Sequence, residues 1–272
     1  MFDEISRRKG WYPTRRAVGL GLSAMLVSPA MAQTASAAEL MVASQEVSRF
    51  ANVRFKAVLT IAGKSGPARV RELGGFSKVT EGEAATAKLM RVSAPPDMRG
   101  VGTLTIERKN AADDLWVYLP SLKRVRRLVA SNRRDPWMGS DFSYGDIVGH
   151  EVADWAHTPV RRETWQSQSC SVIESTPLNK KTASETGYSK RMIWVRDGDA
   201  FAVRAEFFDL TGAVLKTMET SDVRLFDKVR GKSQAMRITM TAAKSKSTLV
   251  FGEFETGVTV TDADVAPGAL TP

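Results

Sequence analysis

Cysteine is nearly absent from this chain: 272 residues contain one, Cys170. A single thiol closes no internal disulfide, so the fold has to rest on its hydrophobic core. Histidine is almost as scarce, with only His150 and His157. They lie seven residues apart beside Glu151 and Asp154, but no His-Glu-x-x-His pattern and no third nitrogen or thiolate ligand joins them. A metal site is therefore not expected. Cys170 sits in the alternating segment "SQSCSVIES" and reads as a small buried residue rather than a nucleophile. No glycine-rich phosphate loop occurs, and no acidic pair falls in a recognisable hydrolytic motif. The chain is expected to have no catalytic residues, to bind no cofactor and not to be an enzyme. Long apolar runs are missing too. The one near the start, Ala17 to Val27, has 11 residues, whereas a membrane-spanning helix needs roughly 20.

That run belongs to an export leader. Arg7, Arg8, Lys9, Arg15 and Arg16 form a basic head, and Pro29 and the small-residue site Ala30-Met31-Ala32 follow the apolar stretch. Arg15-Arg16 after Thr14 fits a twin-arginine signal; an ordinary secretory signal is the other reading. Residues 1–32 are thus expected to be a cleaved signal peptide, and 33–272 a single exported domain, placed in the periplasm. Ala35-Ser36-Ala37 offers a second cleavage site. Without the leader, 34 basic residues face 28 acidic ones, a net charge of +6. This mild excess suits transient contact with an anionic membrane surface or an acidic partner.

Period-two patterning dominates the rest. After a helix expected over Glu39 to Phe50, "NVRFKAVLTIAG" alternates Val53, Phe55, Ala57, Leu59 and Ile61 with Arg54, Lys56 and Thr60, a strand with one dry face. Similar runs recur to the end, with turns at 196–199, 209–212 and 244–246. The pattern predicts a meander of roughly ten or eleven antiparallel strands, a size at which sheets curl or close. Phe55, Leu59, Leu104, Ile106, Met192, Trp194, Phe207, Met236 and Met240 are the inward candidates. Eleven methionines suit a surface that must adapt its shape. Alternation alone fits a packed core and a greasy pocket equally. The closing "DADVAPGALTP" reads as a loose tail.

One stretch stands apart. Residues 113–146 carry Trp116, Tyr118, Trp137 and Tyr144 together with Lys123, Arg124, Arg126, Arg127, Arg133 and Arg134. Nucleic-acid binding is the obvious guess, but the export leader and the interleaved acids argue against it. Trp116 and Tyr118 share one face of a strand; Leu115, Val117 and Leu119 share the other. Arg124 and Arg126 are placed to pair with Asp113, Asp135, Asp141 or Asp146. Residues 141–147 read as a helical turn capped by Ser140 or Asp141.

Taken together, "WVYLPSLKRVRRL", "GSDFSYGDI", "PPDMRGVGTLTI" and "YSKRMIWVRDGDAFAVRAEFFDLTGAVLKT" resemble the outer-membrane lipoprotein-sorting protein family, relatives of the LolA-type carriers. The resemblance runs from about Glu39 to Leu270. It departs at Trp137, Gly145 and the tryptophan-rich "GHEVADWAHTPVRRETW". It implies a half-open antiparallel β-barrel whose apolar hollow, covered by short helices, holds lipid or lipoprotein acyl chains. It further implies a periplasmic carrier without catalysis, working beside an inner-membrane resistance-type (RND/MMPL-like) transporter; the protein is expected to be a monomer. A sensor of the RseB kind is the alternative. The lining expected on this basis is Phe55, Leu59, Leu104, Ile106, Trp116, Tyr118, Met192, Trp194 and Phe207, with Trp137, Met138 and Phe142 either a movable lid or a rigid corner. Arg124, Arg126, Arg133 and Arg134 are expected at the rim, facing a membrane or partner.

Overall fold

The computed structural model describes residues 36–79, 84–108 and 111–271; the expected leader, 1–32, lies outside them. The alternation read in the first strand survives intact. In β1 (Asn52–Gly63) Val53, Phe55, Ala57, Leu59 and Ile61 are buried and Arg54, Lys56 and Val58 exposed. Twelve further strands follow: β2 (Arg69–Val79), β3 (Ala84–Ala94), β4 (Gly102–Arg108), β5 (Asp114–Leu119), β6 (Arg124–Leu128), β7 (Trp155–Trp165), β8 (Gln168–Pro177), β9 (Lys190–Arg196), β10 (Ala202–Phe208), β11 (Val214–Asp227), β12 (Lys232–Ala242) and β13 (Ser245–Thr256). The count exceeds the expected ten or eleven because the segments on either side of the 129–154 connection each form full hairpins.

All thirteen join one antiparallel sheet in the order β6-β5-β4-β3-β2-β1-β13-β12-β11-β10-β9-β8-β7. Every neighbouring pair is consecutive in sequence except β1 and β13. The sheet does not close: its edges are β6 and β7. These two strands follow each other along the chain, so residues 129–154 must travel from one edge to the other.

That segment shows the curl. Within residues 137–147, Trp137 Nε1 donates to Thr103 Oγ1 on β4 at 3.3 Å, while Lys216 Nζ on β11 donates to the Asp141 carbonyl at 3.0 Å. Strands β4 and β11 are six places apart, about 29 Å in a flat sheet at ~4.8 Å per strand. A compact set of turns reaches both only because the sheet wraps around it.

Among the described residues three short helices accompany the sheet: α1 (Ala37–Val47), α2 (Tyr144–Val148) and α3 (Lys180–Thr186). Helix α1 starts on a capping box, in which Ser36 Oγ accepts from the Glu39 amide and the Glu39 carboxylate accepts from the Ser36 amide. It buries Ala37, Met41 and Val47 toward the sheet. It ends three residues before the expected Phe50, which is buried beside Phe226 and Phe254.

The outer face is covered as well. The supposed loose tail forms two 3₁₀ turns, Ala263–Val265 and Pro267–Leu270. Val260, Val265 and the fully buried Leu270 pack there on Ala87, Leu89, Leu104 and Tyr118. Arg91 fastens the cover by donating to the Ala269 carbonyl.

Gly75, on β2 opposite Phe55 and Met90, sits where the backbone of β3 comes close. A Cβ there would collide with the Leu89 backbone. Gly75→Ala is expected to cost about 1–3 kcal/mol through forced backbone movement, read as a lowered urea midpoint. An unchanged midpoint would mean that β2 and β3 are not packed this closely.

Candidate ligand-binding hollow

Register fixes which side chains enter the concave side, because directly opposed residues share a face. From Phe55 the inner face runs through Gly75 to Met90, Thr103 and Val117 in one direction. In the other it runs through Leu249, Ile238, Thr220 and Met218 to Ala205 and Ile193.

Inside lies a cavity of about 410 Å³. Its apolar wall includes Phe50, Val53, Phe55, Leu249, Phe251 and Phe254, with Met90, Met218 and Ile238 completing it. The aromatic rings interlock: Phe55–Phe251 and Phe50–Phe254 centroids are 5.6 and 5.2 Å apart, edge to face.

The expected lining divides three ways. Phe55 lines the cavity. Leu59, Phe207, Trp137, Met138 and Phe142 belong to the same core, in the part of the hollow where that core is solid. Met192 and Trp194 flank Ile193 and so point to the opposite face, where they pack with Cys170 and Val172. Leu104, Ile106, Trp116 and Tyr118 also face outward, under the C-terminal turns. The reason lies in β4 and β5. The inner residues of β4 are Thr103, Thr105 and Glu107, so the polar set faces inward and the apolar set outward.

Residues 137–147 fill the other end of the hollow as a plug. Trp137 is fully buried. Met138 takes a left-handed φ of 50°, which turns the chain so that both side chains point inward. Arg71 donates to the Met138 carbonyl. The Asp141 carboxylate accepts from the Ser245 and Ser247 hydroxyls, and Lys216 Nζ lies 2.5 Å from Asp146 Oδ2. The expected tether to Arg124 and Arg126 is not the one used. Helix α2 is capped by Ser143, whose Oγ accepts from the Asp146 amide, rather than by Ser140 or Asp141.

Burial raises the Asp146 carboxyl, but Lys216 and the Ser143 amide outweigh it and hold the pKa below the usual range. Tyr188 donates to Asp146 at 2.8 Å. Burial, helped by nearby Arg191, holds His150 neutral, well below the ordinary imidazole value. Arg191 is itself pushed down to about 10 by burial; its guanidinium stacks 3.8 Å from the Trp155 ring centroid. His157 spends both ring nitrogens on Ser175 and the Val152 carbonyl. Among the described residues no group of three or more His, Cys, Asp or Glu is placed to hold a metal.

At the rim, Arg133 pairs with Asp113, and Arg108 and Arg127 share Asp114. Arg134 lies along Gly187. Arg124 and Arg126 are exposed, with no ion pair among the described residues.

Phe251 and Phe254 escape simple alternation because β13 carries a bulge opposite Lys56 and Ala57. Phe55 pairs with Phe254 and Ala57 with Phe251, so one extra residue, Gly252, lets both rings face inward. A glycine inside a strand pattern is the available signal for it.

A family model described as "uncharacterized protein" matches residues 84–271. No curated protein matches the chain. An outer membrane lipoprotein-sorting protein domain from Vibrio parahaemolyticus superposes with a TM-score of 0.79 at 23% identity, over 87% of this chain and 98% of that one. A DUF1329 family protein from Desulfovibrio piger gives 0.79 at 24%, over 86% and 97%. A LolA superfamily protein from Nitrosomonas europaea gives 0.64 at 22%, over 85% and 98%. The chain therefore belongs to the family described as "uncharacterized protein", and it has the fold of outer-membrane lipoprotein-sorting and LolA superfamily proteins.

Proposed function

We propose that the protein is a periplasmic carrier that shelters the acyl part of a lipid or lipoprotein and passes it between membranes or to and from an inner-membrane transporter. The observation that carries this reading is the cavity of about 410 Å³ behind an aromatic and aliphatic wall. At about 30 Å³ per water-sized group, it has room for on the order of a dozen methylenes. Each sheltered methylene contributes about 0.8 kcal/mol, so one acyl chain is worth holding. The plug already occupies the rest of the hollow, which keeps the gain within reach of release.

Residues 33–272 would act as one carrier domain after loss of the signal at 1–32, and no described helix is long and apolar enough to cross a membrane. Arg124 and Arg126, exposed on edge strand β6, suit contact with phosphate head groups, each worth about 1 kcal/mol near an anionic surface. That is enough to dock and too little to anchor.

Protein purified without detergent is expected to bring one acyl lipid per chain, identified by mass spectrometry of its extract. Met218→Trp, which thrusts a ring into the cavity, should bring little while keeping the fold. A wild-type protein that carries no lipid and takes up none when offered it would remove the reading.

A further inference from the structure

The cavity has two unlike walls. Opposite the phenylalanines, strands β3 and β4 present Thr86, Lys88 and Glu107 to the same space. Lys88 opposes the buried Thr105, and Glu107 follows two residues on along the same face of β4. Within the described residues the Lys88 ammonium makes one hydrogen bond, to the Ile147 carbonyl at 3.3 Å. Arg49, at the same end, bonds Thr86 and Glu46 and leaves its buried Nε without a partner. A chamber meant for hydrocarbon alone gains nothing from such groups, since buried polar atoms cost free energy unless they are paired.

We propose that the hollow takes in the polar head of its ligand along with the tail, and that this head is an uncharged hydrogen-bonding group, a hydroxyl or an amide, held by Lys88 and Glu107. This rests on the carrier reading above and narrows it to single-chain amphiphiles. The sign of the head follows from the pair. A carboxylate beside Lys88 would face Glu107, and an ammonium beside Glu107 would face Lys88. A hydroxyl or amide accepts from the one and donates to the other. Burial pulls the Lys88 ammonium down and Glu107 resists the fall; burial raises the Glu107 carboxyl and Lys88 opposes the rise. Each thus answers chiefly to desolvation, which a hydrogen-bonding guest relieves.

The test uses Nile red bound to the folded protein and three competitors with one tail: tetradecanol, tetradecanoate and tetradecyltrimethylammonium. The alcohol is expected to displace the dye at about tenfold lower concentration than either ion. In the double variant Lys88→Met/Glu107→Leu, whose displacement midpoints are compared as ratios among the three competitors, the alcohol should lose that lead. A wild-type protein that prefers either ion, or treats all three alike, overturns the proposal and leaves the carrier reading standing. A lead that persists in the double variant also overturns it. Displacement by none of the three overturns both.

Discussion

Trp137→Ala is expected to lower the unfolding free energy by about 3–5 kcal/mol, the usual cost of truncating a large buried aromatic. Trp137 has no exposed surface, and its Nε1 donates to Thr103, itself almost wholly buried. Removing the ring leaves a void at the centre of the plug and an unpaired hydroxyl beside it. For a domain of this size the loss corresponds to roughly 10 °C in melting temperature. The measurement also decides between lid and corner. A ring that leaves the hollow readily contributes little to the resting state, so a cost under about 1 kcal/mol would identify a lid. The observed ties, from Arg71, Ser245, Ser247 and Lys216, favour the corner.

Lys216→Met is expected to cost a similar 3–5 kcal/mol, because it strands the Asp146 carboxylate in the core. Both side chains of the pair are 7% exposed or less. The pH dependence separates this cause from simple loss of packing. In the wild type the Asp146 pKa lies below its unfolded value, so its stabilisation is complete above about pH 4 and disappears as pH falls through the folded pKa. Without Lys216, burial, the largest of the causes, is opposed mainly by the Ser143 amide, and the Asp146 pKa is expected to rise above its unfolded value. The variant's penalty is then largest at neutral pH and shrinks on acidification as the carboxyl takes up a proton. Urea titrations of both proteins at pH 7 and about pH 5 should show the gap narrowing. A constant gap would mean that Asp146 finds another partner. Neutral His150 adds an acid sensitivity of its own below about pH 6.5; burial and Arg191 lead among its causes and Lys216 is a minor one, so most of it is shared by the two proteins.

The architecture was legible wherever one face of a strand is wet. In β1 the charged residues mark the outside, and the inner set follows without error. Legibility failed where both faces are covered. On β4 the alternation of Leu104 and Ile106 with Thr103, Thr105 and Glu107 pointed to the apolar set as inner; the C-terminal turns that cover the other side are separated from β4 by some 150 residues of chain. Met192 and Trp194 were misplaced for the same reason, because all five central residues of β9 are buried. Phe251 and Phe254 were hidden by a single bulge. Sequence periodicity says that a residue is dry; it does not say which neighbour dries it.

The order of the strands also bears on how the molecule comes into being. Strand β1 has one partner in the next hairpin and the other in β13, about 190 residues downstream. A ribosome that has delivered everything up to Ala242 has released two half-sheets, each with a raw inner margin and neither with a chamber. Only the last strand, zipping between β1 and β12, joins the halves. The cavity is therefore complete only once β13 is in place, and a chain ended before it would lack one wall of that space.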